Sequence, residues 1–238
     1  MTTDTFKIAY QKARLEGRSI SDKRLELGRR EISTLVMLAE EIGYKPPMDC
    51  RFLDLGCGDR FLEPVCQDKG WSYEGLDYMD VDFERGAYPV REQSIDIASS
   101  MAVIEHLHSP TNFIDQIYRC LKPGGLLFLS TPNFQMDWKN FYNDPTHVRP
   151  YTPTSLETLL RLSQFTEIST FPGLRCRNIR WYRGRYRFLK AFYLLPFRGD
   201  TKWPVPSFLK GHARSIFALA IKPTQYRDIQ KRLSNYKK

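Results

Sequence analysis

Paired cysteines, long apolar runs and internal repeats are all missing from this 238-residue chain. The five cysteines (Cys50, Cys57, Cys66, Cys120 and Cys176) are odd in number and include no C-x-x-C pair. That pattern argues against a disulfide framework or a zinc knot and reads as reduced, buried thiols of a cytoplasmic protein. No apolar run approaches the roughly 18 residues of a membrane-spanning helix, and the polar stretch from Met1 to Ile20 carries no signal-peptide pattern. Low-complexity segments are absent, and histidine is scarce: His106, His108, His147 and His212 are the whole complement.

Acidic residues are lacking in one place. Residues 170–238 hold 2 Asp and Glu against 17 Lys and Arg, a net of +15, whereas residues 1–169 hold 25 against 19, a net of −6. The overall charge of +9 therefore belongs to the C-terminal third. Such asymmetry points to an anionic partner for that segment: a phosphorylated substrate, a membrane surface or a nucleic acid. The 42% hydrophobic and 26% charged content is that of an ordinary globular protein. The length allows a full core in one domain, with or without an appendage.

What is present is an alternation of strand and helix signals. Residues 21–42 read as an amphipathic helix, stopped by Gly43 and the Pro46-Pro47 pair. Strands follow at Phe52–Leu55, Trp71–Leu76, Ile95–Ser100 and Leu126–Ser130, with helices predicted at Arg60–Lys69 and Pro110–Leu121. Ser109 stands as N-cap of the second of these helices. A further helix runs from Thr152-Pro153 to about Ser163, and strands are expected at Glu167–Phe171 and Ser215–Ile221. This order predicts a Rossmann-like, doubly wound, mostly parallel α/β sheet with flanking helices. The division expected is a helical segment at 1–48, a core at 49–172, and a basic, aromatic-rich insertion with the last strand at 173–238.

The chemistry is concentrated in Phe52-Leu53-Asp54-Leu55-Gly56-Cys57-Gly58, a buried strand that runs straight into a glycine turn. The glycines let a ligand approach the backbone, and the N–H groups of a following helix can face it. About twenty residues on, a second strand ends in Asp77, an acid placed to accept both hydroxyls of a ribose. Together these features predict an adenosine-type cofactor. A dinucleotide reader would carry a third glycine where Phe61 stands, and the G-K-[ST] of a phosphate-binding loop is absent.

At these residues the chain resembles the class I S-adenosylmethionine-dependent methyltransferases, in particular the group with the type 11/23 domain. The likeness covers roughly residues 50–170 as one ordered series. It comprises Asp54-Leu-Gly-Cys-Gly58, Asp77, Ser94-Ile-Asp96, Ile104-Glu105-His106-Leu107 and the run Leu121–Asn133. The resemblance implies a seven-stranded sheet and S-adenosyl-L-methionine as cofactor. It places Gly56, Cys57 and Gly58 under the methionine part, Asp54 on the amino group, and Asp77 on the ribose. Tyr78 or Met79 would pack on the adenine, Asp82 would reach the adenine amine, and Ser100 and Met101 would line the sulfonium side. One departure is Arg60, where the family often has a third glycine. Asp82 reads equally well as a solvated turn acid.

Methyl transfer to a hydroxyl needs alignment and a base near neutral pH, which suits histidine. His106 follows the fourth strand in the resemblance. His147 lies in Asp144-Pro-Thr-His-Val-Arg149-Pro-Tyr151, which is similar to a loop of methyltransferases of surface polysaccharide and glycolipid synthesis. His147 is therefore expected as base or orienting residue, with His106 beside it and Asp144, Arg149 and Glu105 as substrate ligands. A loop histidine that merely satisfies backbone groups is the plainer alternative. A metal held by Asp144, His147 and Glu105 is the minor alternative; without tight ligand spacing, no metal is expected. The stretch 181–198 interleaves arginines with Phe188, Phe192 and Leu195 at helical spacing. It fits a helix at a membrane interface, a cover over a site for lipid-linked saccharide, an RNA-holding segment, or a capping helix. The sequence thus predicts O-methylation of a saccharide or glycolipid at the inner membrane face, with an RNA methyltransferase and a non-enzymatic binding module as alternatives.

Overall fold

The computed structural model describes residue 9, residues 21–173, 191–197, 203–206, 209 and 212–224. Six strands form one sheet in the order β2-β1-β3-β4-β6-β5. They are β1 (Arg51–Leu55), β2 (Ser72–Leu76), β3 (Ile95–Met101), β4 (Leu121–Pro132), β5 (Thr166–Pro172) and β6 (Ser215–Ile221). β2, β1, β3 and β4 are mutually parallel, and β6 is antiparallel to both its neighbours, β4 and β5. The expected seven-stranded sheet is therefore six-stranded among the described residues. β3 and most of β4 are buried along their length, as strands covered on both faces must be, although β3 carries Asp96, Ser99 and Ser100 among its apolar residues.

The helices are α1 (Asp22–Glu41), α2 (Glu63–Asp68), α3 (Pro110–Cys120), α4 (Phe134–Phe141) and α5 (Pro153–Leu162). Ser21 caps α1 by accepting from Arg24 N–H, and Thr152 and Ser155 form a reciprocal capping box on α5. One core layer holds Leu53, Leu55, Phe83, Phe113, Ile117 and Leu127. The other packs Ile32, Leu35 and Leu38 of α1 against Phe52, Phe128 and Phe217 of the sheet.

Three local expectations are corrected. The helix predicted from Arg60 starts at Glu63, because Arg60 adopts a left-handed conformation (φ 54) that no right-handed helix accommodates. Ser109 does occupy the N-cap of α3, but its side chain makes no capping bond; its hydroxyl pairs with Thr111 at 3.1 Å instead. The strand expected at Leu126 begins at Leu121, because Leu121 pairs with Ile95 across the Lys122–Gly125 irregularity. The helix-like spacing at 181–198 lies mostly outside the described residues. Within it, Ala191–Tyr193 forms one short turn, and Phe192 is buried in the same apolar cluster as Phe171 and Phe217. The four described cysteines, Cys50, Cys57, Cys66 and Cys120, are free and buried. Burial pushes the thiols of Cys50, Cys57 and Cys66 up to about 12, so they stay protonated.

Candidate active site

Parallel strands end on one edge of a sheet, and here the ends of β1, β2, β3 and β4 converge. The strand order reverses between β1 and β3, the crevice where open α/β sheets take ligands. Gly56 leaves β1 with φ 79, and a Cβ at that position would lie 2.2 Å from Val103 Cγ2. Only glycine supplies both that conformation and that closeness. The Gly56 and Cys57 N–H groups donate to Leu76 O at 2.8 and 3.3 Å, which ties the turn to the end of β2.

Gly58 is also left-handed (φ 53), and its N–H donates to Asp77 Oδ2 at 2.8 Å. Asp77 Oδ1 accepts from Tyr78 N–H at 2.7 Å. A carboxylate has about four lone-pair sites, so Asp77 is held rigidly and keeps capacity for two hydroxyls. Met79 is 74% exposed, while the half-buried Tyr78 ring packs edge-on to Phe83 at 5.0 Å. Asp82 is exposed and serves its own turn, with Oδ1 accepting from Glu84 N–H and its carbonyl from Gly86 N–H.

Asp54 lies beneath the glycine turn, 3% exposed, with Oδ2 accepting from the Tyr73 hydroxyl at 2.9 Å. Burial pushes its carboxyl up to about 7; the Tyr73 hydrogen bond opposes this and the Asp77 charge reinforces it. Ser100, at the end of β3, is buried, and its hydroxyl has no hydrogen-bond partner among the described residues. A left-handed glycine cradle, an orphaned hydroxyl and two carboxylates at one edge fit a cationic nucleoside ligand.

The second half of the site starts at Ala102, a left-handed residue (φ 57) that turns the chain sharply out of β3. This corner drives Val103 against Gly56 and leads into the one-turn 3₁₀ helix Ile104–His106. Glu105 is fully buried, and its Oε2 accepts from the Thr131 hydroxyl at 3.0 Å. The Glu105 carbonyl accepts from Val148 and Arg149 N–H at 2.9 and 3.0 Å, binding the distant 144–151 loop to this turn. The rings of His106 and His147, 41 residues apart in sequence, thereby stand 4.8 Å apart.

Hydrogen bonds set both tautomers. His147 Nδ1 faces Phe141 O at 2.6 Å, and a carbonyl only accepts, so Nδ1 carries the hydrogen. His106 Nδ1 faces Thr146 O at 3.1 Å and Thr146 Oγ1 at 2.9 Å. The Thr146 hydroxyl donates to Asp144 Oδ1 at 2.5 Å, so His106 Nδ1 is the donor to both. In its neutral form each imidazole therefore carries its lone pair on Nε2.

Asp144 and Arg149, expected on substrate, are engaged in shaping the loop. Burial alone would push the Asp144 carboxyl up, but the Thr146 side-chain and backbone hydrogen bonds hold it below the usual range. Arg149 Nη2 donates to His108 O at 2.5 Å. Sequence reasoning singled out neither Tyr73, Val103, Thr131 nor Thr146. Thr146 lies inside the quoted loop, but nothing in its spacing betrays a bond to His106.

The glycine turn, the acid at the next strand end and the switch-point crevice define a nucleoside-binding doubly wound domain. A family described as "Methyltransferase domain" (Methyltransf_23) matches residues 14–170, and the chain belongs to it. A Mycolicibacterium smegmatis protein named "Probable S-adenosylmethionine-dependent methyltransferase" is 30% identical over 48% of this chain and 51% of its own length. A Parvibaculum lavamentivorans protein named "Ubiquinone biosynthesis O-methyltransferase" is 28% identical over 37% of this chain and 43% of its own. The chain thus spans about half the length of the curated relatives it matches. Among solved structures, an S-adenosylmethionine-dependent methyltransferase from Archaeoglobus fulgidus has the same fold. It has a TM-score of 0.56 and 17% identity, and the match covers 91% of this chain and all of that one. The chain carries an S-adenosylmethionine-dependent methyltransferase domain of Rossmann-like fold.

Proposed function

We propose that this chain catalyses methyl transfer from S-adenosylmethionine to a hydroxyl oxygen of a saccharide or glycolipid intermediate. The observation that carries the reading is the His106–His147 pair, both with Nδ1 turned to oxygen acceptors: His106 on the turn after Val103, which packs against Gly56, and His147 on the loop that the Glu105 carbonyl ties to that turn. When bound, the cofactor supplies a methyl group on a sulfonium; the C–S bond breaks with its electron pair staying on sulfur as the new C–O bond forms. Asp77 would hold the ribose hydroxyls, Asp54 the amino group and Ser100 the sulfonium side. His147 Nε2 takes the acceptor hydroxyl's proton, and the Phe141 carbonyl stabilises the resulting imidazolium through Nδ1–H. Oxygen as the acceptor atom is supported by relatives named as O-methyltransferases. The saccharide class is supported by the likeness of the 144–151 loop, and the charge of residues 170–238 suits a phosphate-bearing or membrane-held acceptor. No described helix is long and apolar enough to cross a membrane.

The test has two parts. Calorimetry should show micromolar binding of S-adenosylmethionine and S-adenosylhomocysteine but not NAD. An acceptor screen starting with lipid-linked saccharides should then give product that His147→Ala loses by about a hundredfold or more, with cofactor binding intact. Full turnover by that variant ends the base assignment. A preference for RNA with steeply salt-dependent affinity would transfer the reading to the basic third acting on nucleic acid. Absence of cofactor binding would leave a non-enzymatic module.

A further inference from the structure

We infer that Glu105, His106 and His147 form a divalent-cation site beside the cofactor crevice. One ligand atom from each residue lies within 4.8 Å of the others, a spread that a single ion can bridge with small side-chain rotations. The inference deepens the proposed hydroxyl chemistry and rests on it for its catalytic role, but cation binding itself does not.

Three features of the molecule suit a cation. First, both imidazoles are fixed as Nδ1–H tautomers by oxygen acceptors, Phe141 O for His147 and the two Thr146 oxygens for His106. That is the outer-shell arrangement by which proteins orient metal-ligating histidines and raise their basicity. Second, Glu105 is fully buried and His106 is 5% exposed. A carboxylate drawn into the interior next to two nitrogen lone pairs is stabilised by a positive charge among them. Third, the ligands are held on a rigid frame. The left-handed Ala102 corner fixes the Glu105–His106 turn, Thr131 holds Glu105 Oε2, and the Glu105 carbonyl anchors the His147 loop through Val148 and Arg149.

Two imidazoles and one carboxylate suit zinc, cobalt(II), manganese(II) or iron(II) rather than calcium or magnesium. Three protein ligands also leave a coordination position open, the arrangement of catalytic rather than structural sites. An acceptor hydroxyl in that position would lose its proton to water near neutral pH, because the ion stabilises the oxyanion. That oxygen would attack the methyl carbon as the C–S bond breaks, its electron pair staying on the sulfur of departing S-adenosylhomocysteine. Cation and proton compete for the same Nε2 lone pairs, so the ion replaces the imidazole as the activating group wherever it is bound.

Chelator-treated protein titrated with Co²⁺ alone tests the site without any need for turnover. The expected result is one saturable equivalent with visible d–d absorption and micromolar or tighter affinity, weakened at least tenfold by His106→Ala and by His147→Gln. Thr131→Val should weaken it less, because Glu105 would lose only its orienting bond. S-adenosylhomocysteine binding, measured on the same samples, shows that each variant is folded. No saturable cobalt binding to the wild-type protein overturns the inference. So does binding that all three variants retain unchanged, since the ion would then sit elsewhere. Loss of cobalt binding together with full transferase activity in chelator refutes the activating role. If cobalt binds as expected but no hydroxyl acceptor is ever methylated, the proposed reaction fails while the cation site stands.

Discussion

Arg24 of α1 grips Asp59 of the cofactor turn with two parallel hydrogen bonds, Nε to Oδ2 at 2.8 Å and Nη2 to Oδ1 at 2.5 Å. The same guanidinium lies 4.0 Å over the Phe61 ring. Bidentate geometry with a stacked ring uses what arginine has and lysine lacks. The Asp59 side chain is only 5% exposed, so the pair is more than a surface ornament. A helix that precedes the first strand thus steadies the backbone of the glycine turn around Gly58.

Arg24→Ala should therefore leave the fold intact but loosen residues 57–61. The expected result is a several-fold rise in the Kd for S-adenosylhomocysteine by calorimetry, with Arg24→Lys recovering only part of it. An unchanged Kd in Arg24→Ala would mean that the turn holds its shape without α1.

Asp54 gives a pH dependence with a definite sign. Its folded pKa, about 7, lies above the ordinary value near 3.9. The stability this group leaves intact in acid is therefore lost as pH rises towards and through 7, because the buried carboxylate must ionise. Cofactor affinity should move the other way if the ionised form meets an ammonium. About a tenth of Asp54 is ionised at pH 6 and about nine-tenths at pH 8, so the Kd should tighten roughly tenfold between them. Asp54→Asn should bind weakly at both pH values and melt several degrees higher than wild type at pH 8 as apo-protein. A wild-type Kd that is flat from pH 6 to 8 would contradict this account.

The strands and the glycine turn with its strand-end acid were legible because each is written locally. Phe52–Leu55 and Leu126–Ser130 are short apolar runs, and Gly56, Gly58 and Asp77 sit at fixed steps from strand ends. The histidine pair was less legible, since it is assembled from two loops. His106 and His147 could be nominated singly, but their 4.8 Å approach depends on the Glu105 carbonyl holding the 144–151 loop. No periodicity encodes that contact, so the spacing in sequence does not show Glu105, His106 and His147 coming together. α4 was unread because it is short and a kink at Asp137 interrupts the helix. Arg60 shows the converse: the departure from glycine was visible, but not that its backbone is left-handed while Nη2 reaches back to Gly75 O at 3.2 Å.

Gly56 separates two costs that usually come together. Adding a Cβ there meets Val103 Cγ2 at 2.2 Å and also forces a non-glycine residue to φ 79. The backbone cost is on the order of 1 kcal/mol, whereas overpacking in a close-packed interior costs typically about 1–3 kcal/mol. Gly56→Ala should thus destabilise the protein by roughly 2–4 kcal/mol in denaturant unfolding and weaken cofactor binding more than tenfold. Val103→Ala removes the colliding methyl at the price of a small cavity, so the double variant should regain the steric part and keep the backbone part. Recovery of about half the lost stability, with cofactor affinity still depressed, would assign Gly56 a double role as contact surface and as hinge. Full recovery of both would mean that the left-handed conformation costs nothing here, and that closeness to Val103 is the only reason for glycine.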